Sequence, residues 1–441
     1  MGIPVRLSSN HSRVSLSPAA GDNASNGSSR TGLLGIKTRT DGDGALLAPN
    51  PVNRGAFKFP SVSEVKAAQR IPGDAPLLID DALIQGIKFG ASDVFIKPNS
   101  PVWYRVNGKA FPVGTFDWLD NESMYSTAMG MILSTLERQF TQDLELDTSY
   151  VIQDGEYEGS RFRVNFIRSD DNGISLVFRY INPRIETPDA LGLPQEVIDW
   201  SDRPRGLVLV TGPTGSGKST SLSSLIRRIQ LNESKHILTI EKPVETVYPK
   251  DGLSLVTQRE VGQDTLSFAN ALTSAMRDSP DVILVGEMRT NEEISATIEA
   301  ADTGHLTFST LHTKSAEETI LRIMSKFEGE DKRDVLARLS SNLVGIMAQQ
   351  LLQRKDGKGR IAVHELLTVD RDVSEMILQG DVHGIHDYMM EHKSSMDHQL
   401  LRMVVNNDIT YSEAYGHAMN PNDFKELAHG PRLVNVINFD E

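Results

Sequence analysis

The sequence predicts an α/β protein in which a parallel-sheet, phosphate-binding domain follows a smaller α+β module. Three observations predict it. The stretch Gly212-Pro213-Thr214-Gly215-Ser216-Gly217-Lys218-Ser219-Thr220 comes directly after the apolar run Leu207-Val208-Leu209-Val210, as a phosphate loop between strand and helix requires. Two further runs, Ile237-Leu238-Thr239-Ile240 and Val282-Ile283-Leu284-Val285, are apolar almost throughout, as strands buried on both faces of a parallel sheet are. Ahead of them, short strand and helix patterns mix around Asn107-Gly108, a strong hairpin signal.

Bulk properties fit this class. A length of 441 residues allows two or three domains, and a hydrophobic fraction of 39% is that of a globular chain. No run reaches the length of a membrane span, and the N-terminus lacks a signal-peptide core. With no cysteine, disulfides and thiolate metal sites are excluded. A net charge of −14 argues against broad nucleic-acid binding, which needs a basic surface. The cytoplasm is the expected address.

Taken in order, residues 1–75 are rich in Ser, Asn, Gly, Thr and Pro and mildly basic, the composition of a solvated tail. From 76 to 181 the signals are globular. Ile79, Leu83 and Ile87 fall at helical spacing, with Gly90 as a stop. Val94-Phe95-Ile96 reads as a strand, and residues 103–106 and 109–113 flank the hairpin turn. Asp120 caps a helix expected to carry Met124, Ala128, Met131, Ile132 and Leu136. Strands at 161–167 and 174–181 follow, joined at Asp170-Asp171-Asn172-Gly173. Residues 182–194 read as a linker. The domain from 195 to 430 alternates helices with strands expected at 206–211, 236–241, 253–257, 282–286 and 306–310; 431–441 is a tail.

The chemistry follows from the loop. Its backbone N–H groups and the helix N-terminus cradle phosphates, Lys218 neutralises the β- and γ-phosphates, and the Ser219 hydroxyl holds Mg²⁺. The expected cofactors are therefore ATP and Mg²⁺. Ligands of open α/β sheets bind beyond the carboxyl ends of the strands, so Glu241 and Glu287, which follow two buried runs, should face the loop.

Four ordered blocks resemble the secretion ATPases of type II and type IV systems, including the PilT-type pilus retraction motors and their DotB-like relatives. They are the phosphate loop, Ile240-Glu241-Lys242-Pro243-Val244-Glu245, the segment Arg277 to Arg289 containing Asp281-Val282-Ile283-Leu284-Val285-Gly286-Glu287, and Thr303-Gly304-His305-Leu306-Thr307-Phe308-Ser309-Thr310-Leu311-His312-Thr313. The run Gln258-Arg259-Glu260-Val261-Gly262 leads into the third block, and the similarity covers roughly residues 76–430. The resemblance implies a ring hexamer whose subunits pair a PAS-like N-terminal module with a RecA-like P-loop ATPase domain. It implies Glu241 as base or water-positioning residue, and Glu287 as the acid on the Mg²⁺ shell, acting through water. His305 and His312 would sense the γ-phosphate or couple it to domain motion. Arg161, Arg163 and Arg179 would reach nucleotide across the hexamer. The chain departs from the family pattern at Lys242, Ser279 and Thr290, each standing where Asp is usual. Without cysteines it lacks the zinc module of the type II assembly ATPases, which favours the PilT/DotB branch.

The reading is a cytoplasmic ATPase motor, peripheral to the inner membrane, that works on secretion or pilus platform proteins. A type IV secretion or conjugative transfer machine is the first choice and pilus retraction the second. A nucleotide-binding subunit without turnover and a nucleic-acid translocase are the readings from other classes. Cargo, direction of the motor and the role of residues 1–75 are open at this point.

Overall fold

The computed structural model describes Val65, Gly73 and residues 75–169, 173–181 and 184–430. The tails (nearly all of 1–75, and 431–441), the turn at 170–172 and Asn182-Pro183 lie outside the described residues.

The chain first builds a six-stranded antiparallel sheet. Helix α1 (Ile79–Lys88) buries Ile79, Ala82, Leu83 and Ile87 on one face. It precedes strands β1 (Asp93–Ile96), β2 (Val102–Val106) and β3 (Lys109–Val113). Asn107 and Gly108 both take positive φ, 49° and 77°, as the tight β2–β3 turn demands. Asp120 caps α2 (Asn121–Gly130) by accepting from the Ser123 N–H at 2.7 Å. The single helix expected here is two. Backbone helicity stops at Gly130, Leu133 is extended, and α3 (Ser134–Asp143) begins afresh to bury Leu136 and Phe140. Strands β4 (Glu145–Val151), β5 (Arg161–Ser169) and β6 (Gly173–Ile181) complete the order β3-β2-β1-β6-β5-β4. Sequence reading missed β4, whose alternation is carried by polar residues on one face, Glu145, Asp147 and Ser149.

One face of this sheet buries Val94, Tyr104, Phe162, Val164, Phe166, Leu176 and Phe178 in a core with α1 to α3. The other carries a row of charge. Arg105, Asp93, Arg179, Arg163 and Ser149 stand at directly opposed positions on β2, β1, β6, β5 and β4.

Residues 184–194 contain the helical turn α4 (Pro188–Leu191) and are tied to the following structure by Ser224 Oγ, which donates to Glu186 O at 2.7 Å. After α5 (Gln195–Trp200) come β7 (Gly206–Thr211), α6 (Lys218–Asn232), β8 (His236–Glu241), β9 (Leu255–Glu260), α7 (Phe268–Asp278), β10 (Val282–Val285), α8 (Asn291–Asp302), β11 (Leu306–Leu311), α9 (Ala316–Met324), α10 (Gly329–Asn342), β12 (Leu343–Gln353) and β13 (Arg360–Thr368). Helices α11 (Arg371–Gln379), α12 (Val382–Glu391), α13 (Met396–Val405), α14 (Tyr411–His417) and α15 (Pro421–Ala428) end the described chain. The second sheet has the order β13-β12-β7-β11-β10-β8-β9, parallel except for β13. Strand β9 starts two residues later than expected, because Leu253 and Ser254 are bound as a turn to Gln230 O. Strands β12 and β13 escaped the sequence reading altogether.

Alternation on the central strand orders the layers. Leu207 and Leu209 pack with Ile294, Ile298, Ile320 and Leu339 of α8, α9 and α10. Val208 and Val210 pack on the other face with Leu222, Leu225 and Ile229 of α6. The sheet is thus covered on both sides, which is why its strands read as apolar runs. Thr211 is paired with Leu311, and Val285 with both Ile240 and Ser309, so β7, β8, β10 and β11 end along one edge. No helix among the described residues is long and apolar enough to cross a membrane.

Candidate active site

The loop from β7 to α6 occupies that edge. Gly212 has φ 145° and Gly217 φ 93°, and a Cβ at either would stand 2.2 Å from Gln349 O or 2.7 Å from Gln349 Nε2. The side chain of Gln349, on β12, donates to Ser216 O at 2.7 Å and accepts from Ser221 Oγ at 2.8 Å. It braces the loop from behind. Nothing in the sequence motif announced Gln349; its strand had to be placed beside β7 first. Helix α6 starts at Lys218 without a side-chain cap, so its first N–H groups face the loop, and Ser216 Oγ is buried without a partner. Pro213, Thr214 and Gly215 form the exposed crest, and Ser219 and Thr220 are exposed beside it.

Lys218 is buried and turned back on the loop, donating to Gly212 O at 2.7 Å and Pro213 O at 3.1 Å. Burial pulls its ammonium below the usual lysine range against the pull of Glu287 and Glu245. His312, one residue past β11, bridges the charges: Nδ1 lies 3.5 Å from Lys218 Nζ and Nε2 lies 3.2 Å from Glu287 Oε1. Glu287 also takes Arg289 at 2.7 Å. Partial burial pushes its carboxyl up, but the hydrogen bond and charge of Arg289, with His312 and Lys218, outweigh that and hold it below the usual carboxylate range. Thr310 Oγ1 fixes the turn before it by donating to Gly286 O at 2.6 Å.

Glu241 ends β8 and is buried. Its oxygens accept from Thr239 Oγ1 at 2.8 Å, and at 3.4 Å from Gln258 Nε2 and from the Glu245 N–H. Burial pushes its pKa up to about 7, those hydrogen bonds notwithstanding. The site therefore holds two carboxyls set apart in acidity, Glu287 kept ionised and Glu241 poised near neutrality, which is how one edge can serve both a cation and a proton.

Arg163, Arg179 and Arg184 line a cleft of about 400 Å³ together with Ser219, Thr220 and Glu245. Arg163 is bound in a fork to Asp147 and reaches Glu245 at 3.4 Å; Arg179 holds Asp93 at 3.0 Å and is 66% exposed. Two of the three expected arginines thus face the first turn of α6 within their own chain.

Two of the expected residues stand apart from this cluster in the chain. His305 does not join the site: it precedes β11, at the opposite edge of the sheet, where Nδ1 lies 2.9 Å from Ala300 O and 3.1 Å from Thr303 Oγ1. Arg161 shares a face with Arg163 but is absent from the cleft lining. Its guanidinium pairs at 2.5 Å with Glu260, and Nε donates to Val244 O at 3.0 Å. The departures are local. Lys242 is exposed, Ser279 takes positive φ at the end of α7, and Thr290 caps α8 in a reciprocal box with Glu293.

A glycine-rich strand-to-helix loop at the carboxyl edge of a parallel sheet, with an acid–histidine pair facing its lysine, defines the class of phosphate-loop α/β proteins. Residues 73–416 match the family described as Type II/IV secretion system protein. The chain belongs to this family of secretion ATPases, on its PilT/DotB-like branch. The type IV pilus retraction ATPase PilT of Pseudomonas aeruginosa is 40% identical over 305 residues, 69% of this chain and 86% of that protein. The solved pilus retraction motor PilT with bound ADP gives a TM-score of 0.72 at 35% identity, covering 79% of this chain and 99% of that one. The Legionella pneumophila ATPase DotB gives 0.70 at 26% identity, covering 81% and 97%.

Proposed function

We propose that this chain is a Mg²⁺-dependent ATP hydrolase that drives a type IV secretion or conjugative transfer machine. The observation that supports it best is the convergence of the phosphate loop, Lys218, the Glu287–His312 pair and Glu241 on one sheet edge. The residues present fit a nucleoside triphosphate: the loop excludes side chains at Gly212 and Gly217, and the α6 N-terminus lacks a side-chain cap. A relative in this family carries ADP in its solved structure. Mg²⁺, when bound, spreads the charge of the β- and γ-phosphates, and it suits one hydroxyl, Ser219, and one carboxylate, Glu287, acting through water.

The chain's own groups then divide the work. Lys218 exchanges the carbonyls of Gly212 and Pro213 for phosphate oxygens. Glu241 orients the attacking water and takes its proton, a role suited to a buried carboxyl near neutrality. His312 relays the state of the phosphates between Lys218 and Glu287. Arg163 and Arg179 bring positive charge to the cleft.

Around this site we read residues 76–181 as a PAS-like module, 182–194 as the connection, and 195–430 as a RecA-like ATPase domain with its C-terminal helices. Six copies form a ring, active in the cytoplasm and attached to the inner membrane through platform proteins. An arginine supplied between subunits contributes about 10³ to 10⁵ in rate, so turnover should depend on assembly. Phosphate release from Mg-ATP over a dilution series from monomer to ring tests this, with Lys218→Ala as control. Rate per subunit should rise with assembly and vanish in the variant; a fast monomer, or no turnover with ATP bound, defeats the reading.

Pilus retraction is the second reading, favoured by the 40% identity to a protein described as a retraction ATPase. Deleting the gene separates them: loss of substrate transfer supports the first, and pili that extend without retracting support the second.

A further inference from the structure

The face of the first sheet opposite its core meets the second sheet's edge at one buried carboxylate. Glu260, the last residue of β9, is 2% exposed. Its Oε1 accepts from Gln263 Nε2 at 2.6 Å, and from Thr148 Oγ1 and the Ser149 N–H at 3.2 Å each. Its Oε2 accepts from Arg161 Nη2 at 2.5 Å, Ser149 Oγ at 2.8 Å and the Val244 N–H at 3.1 Å. Arg161 Nε meanwhile donates to Val244 O at 3.0 Å. Both polar groups of the Val244 backbone are therefore gripped by one ion pair, whose acid comes from β9 and whose base comes from β5.

What Val244 leads to gives this grip its consequence. The next N–H, that of Glu245, reaches Glu241 Oε2. Glu245 itself meets Arg163, and Thr246 Oγ1 meets Ser223 Oγ on the phosphate-loop helix at 2.8 Å. Gln258, two residues before Glu260, donates to both Glu241 Oε1 and Thr246 O, and accepts from the Tyr248 N–H at 3.0 Å. The segment 244–248 thus runs from the first sheet to the candidate base and on to the phosphate-loop helix.

We propose that Glu260 and Arg161 are positioning residues, which clamp Val244 so that the first sheet sets the placement of Glu241 during ATP turnover. A buried ion pair is a poor way to gain stability compared with apolar packing, and its best-attested use is to specify geometry. Arg161 therefore acts within its own chain and through Val244, outside the cleft that Arg163 and Arg179 line. The inference rests on the ATP hydrolase reading.

The test uses full-length rings of wild type, Glu260→Gln, Arg161→Ala and the double variant. Three quantities are measured: kcat and KM for Mg-ATP, ADP affinity, and hydrogen exchange of a peptide spanning 242–248. Displacing a base by an ångström costs up to about a hundredfold, so kcat should fall about tenfold or more in each single variant. ADP affinity and KM should stay within about threefold, because the phosphate loop is untouched. The double variant should be no slower than the slower single, since both act through one peptide. Exchange at 242–248 should speed up in all three. Unchanged kcat, multiplicative losses, or ADP affinity lost in step with kcat would overturn the proposal. Ser149→Ala, which removes one donor from Glu260 and one acceptor from Arg161 while leaving the ion pair itself, serves if a variant fails to assemble; its kcat should fall without a change in KM, and an unaltered kcat counts against the clamp. An inactive wild type defeats the hydrolase reading instead, and the exchange data then decide whether the clamp exists: unchanged exchange would end it.

Discussion

Lys218 and His312 meet across the site, with the ammonium 3.5 Å from the imidazole Nδ1, while the other ring nitrogen lies 3.2 Å from Glu287. A neutral ring with its proton on Nε2 satisfies both contacts, accepting from the lysine and donating to the carboxylate; the tautomer follows from the partners. On the proposed reading, the histidine links the residue that would meet phosphate to the one that would meet the metal. His312→Ala should lower kcat about a hundredfold, the size of a lost catalytic hydrogen-bonding group. ADP affinity should stay within about threefold of wild type, because Lys218 and the phosphate loop are untouched. Titration with a fluorescent ADP analogue beside steady-state kinetics checks it. Equal losses in both would mean that His312 holds the loop rather than serving turnover.

On the proposed reading, Glu241 should make activity and stability run in opposite directions with pH. Burial raises its pKa from 4.5 to about 7 in the folded chain, so folding favours the protonated form. The stability associated with that proton is fully present below pH 4.5 and is lost as pH rises through 7. Above that point the buried carboxylate costs on the order of 3 kcal/mol, a figure set by the size of the shift. Glu241→Gln should therefore match wild type near pH 5 and melt higher than wild type near pH 8. Glu365, whose pKa burial also pushes up to about 7, is present in both proteins and cancels in the comparison. Turnover should show the reverse: kcat of wild type climbs with an apparent pKa near 7 as the base ionises, and the variant stays inactive throughout. A variant that melts like wild type at both pH values would contradict the burial argument.

How far the sequence disclosed this site depended on whether a residue's place could be inferred from one strand alone. Glu241 and Glu287 were legible because each follows a buried apolar run, and such runs end at the ligand edge. The same rule places His305 at the far edge, since it precedes its strand. Strand β12 was hidden because it leaves α10 with no glycine or proline between them, and carries Met347, Ala348 and paired glutamines. With β12 unseen, Gln349 could not be found. The arginines divided for a similar reason: alternation put Arg161 and Arg163 on one face, but only the packing of that face showed Glu260 capturing one and the cleft receiving the other.

Gln349 gives the phosphate loop a support that the motif itself does not contain. Replacing it with leucine removes its bonds to Ser216 O and Ser221 Oγ while keeping its bulk. Two neutral hydrogen bonds amount to about 1 to 3 kcal/mol, so ADP affinity should weaken about tenfold or more. At saturating ATP, kcat should remain within about threefold of wild type, since Glu241, Glu287 and His312 stand at or just past the ends of other strands. Calorimetric titration with ADP provides the affinity. Unaltered affinity with a fallen kcat would assign Gln349 to the reaction instead of to the loop.

Thr290 stands where the family pattern places an aspartate, and the structure gives it a role that either residue can fill. Its hydroxyl accepts from the Glu293 N–H at 3.2 Å, and Glu293 Oε2 returns the bond to the Thr290 N–H at 2.9 Å. That carboxylate also takes the Arg289 N–H at 2.7 Å, so the cap of α8 anchors the residue that holds Glu287. Aspartate is an equally good cap and suits the positive end of the helix. Thr290→Asp should thus leave stability within about 0.5 kcal/mol and turnover within about twofold of wild type. Thr290→Ala should cost about 1 kcal/mol in chemical denaturation, with a smaller effect on kcat transmitted through Arg289. A large gain in turnover for the aspartate variant would mean that threonine throttles the site rather than merely capping the helix.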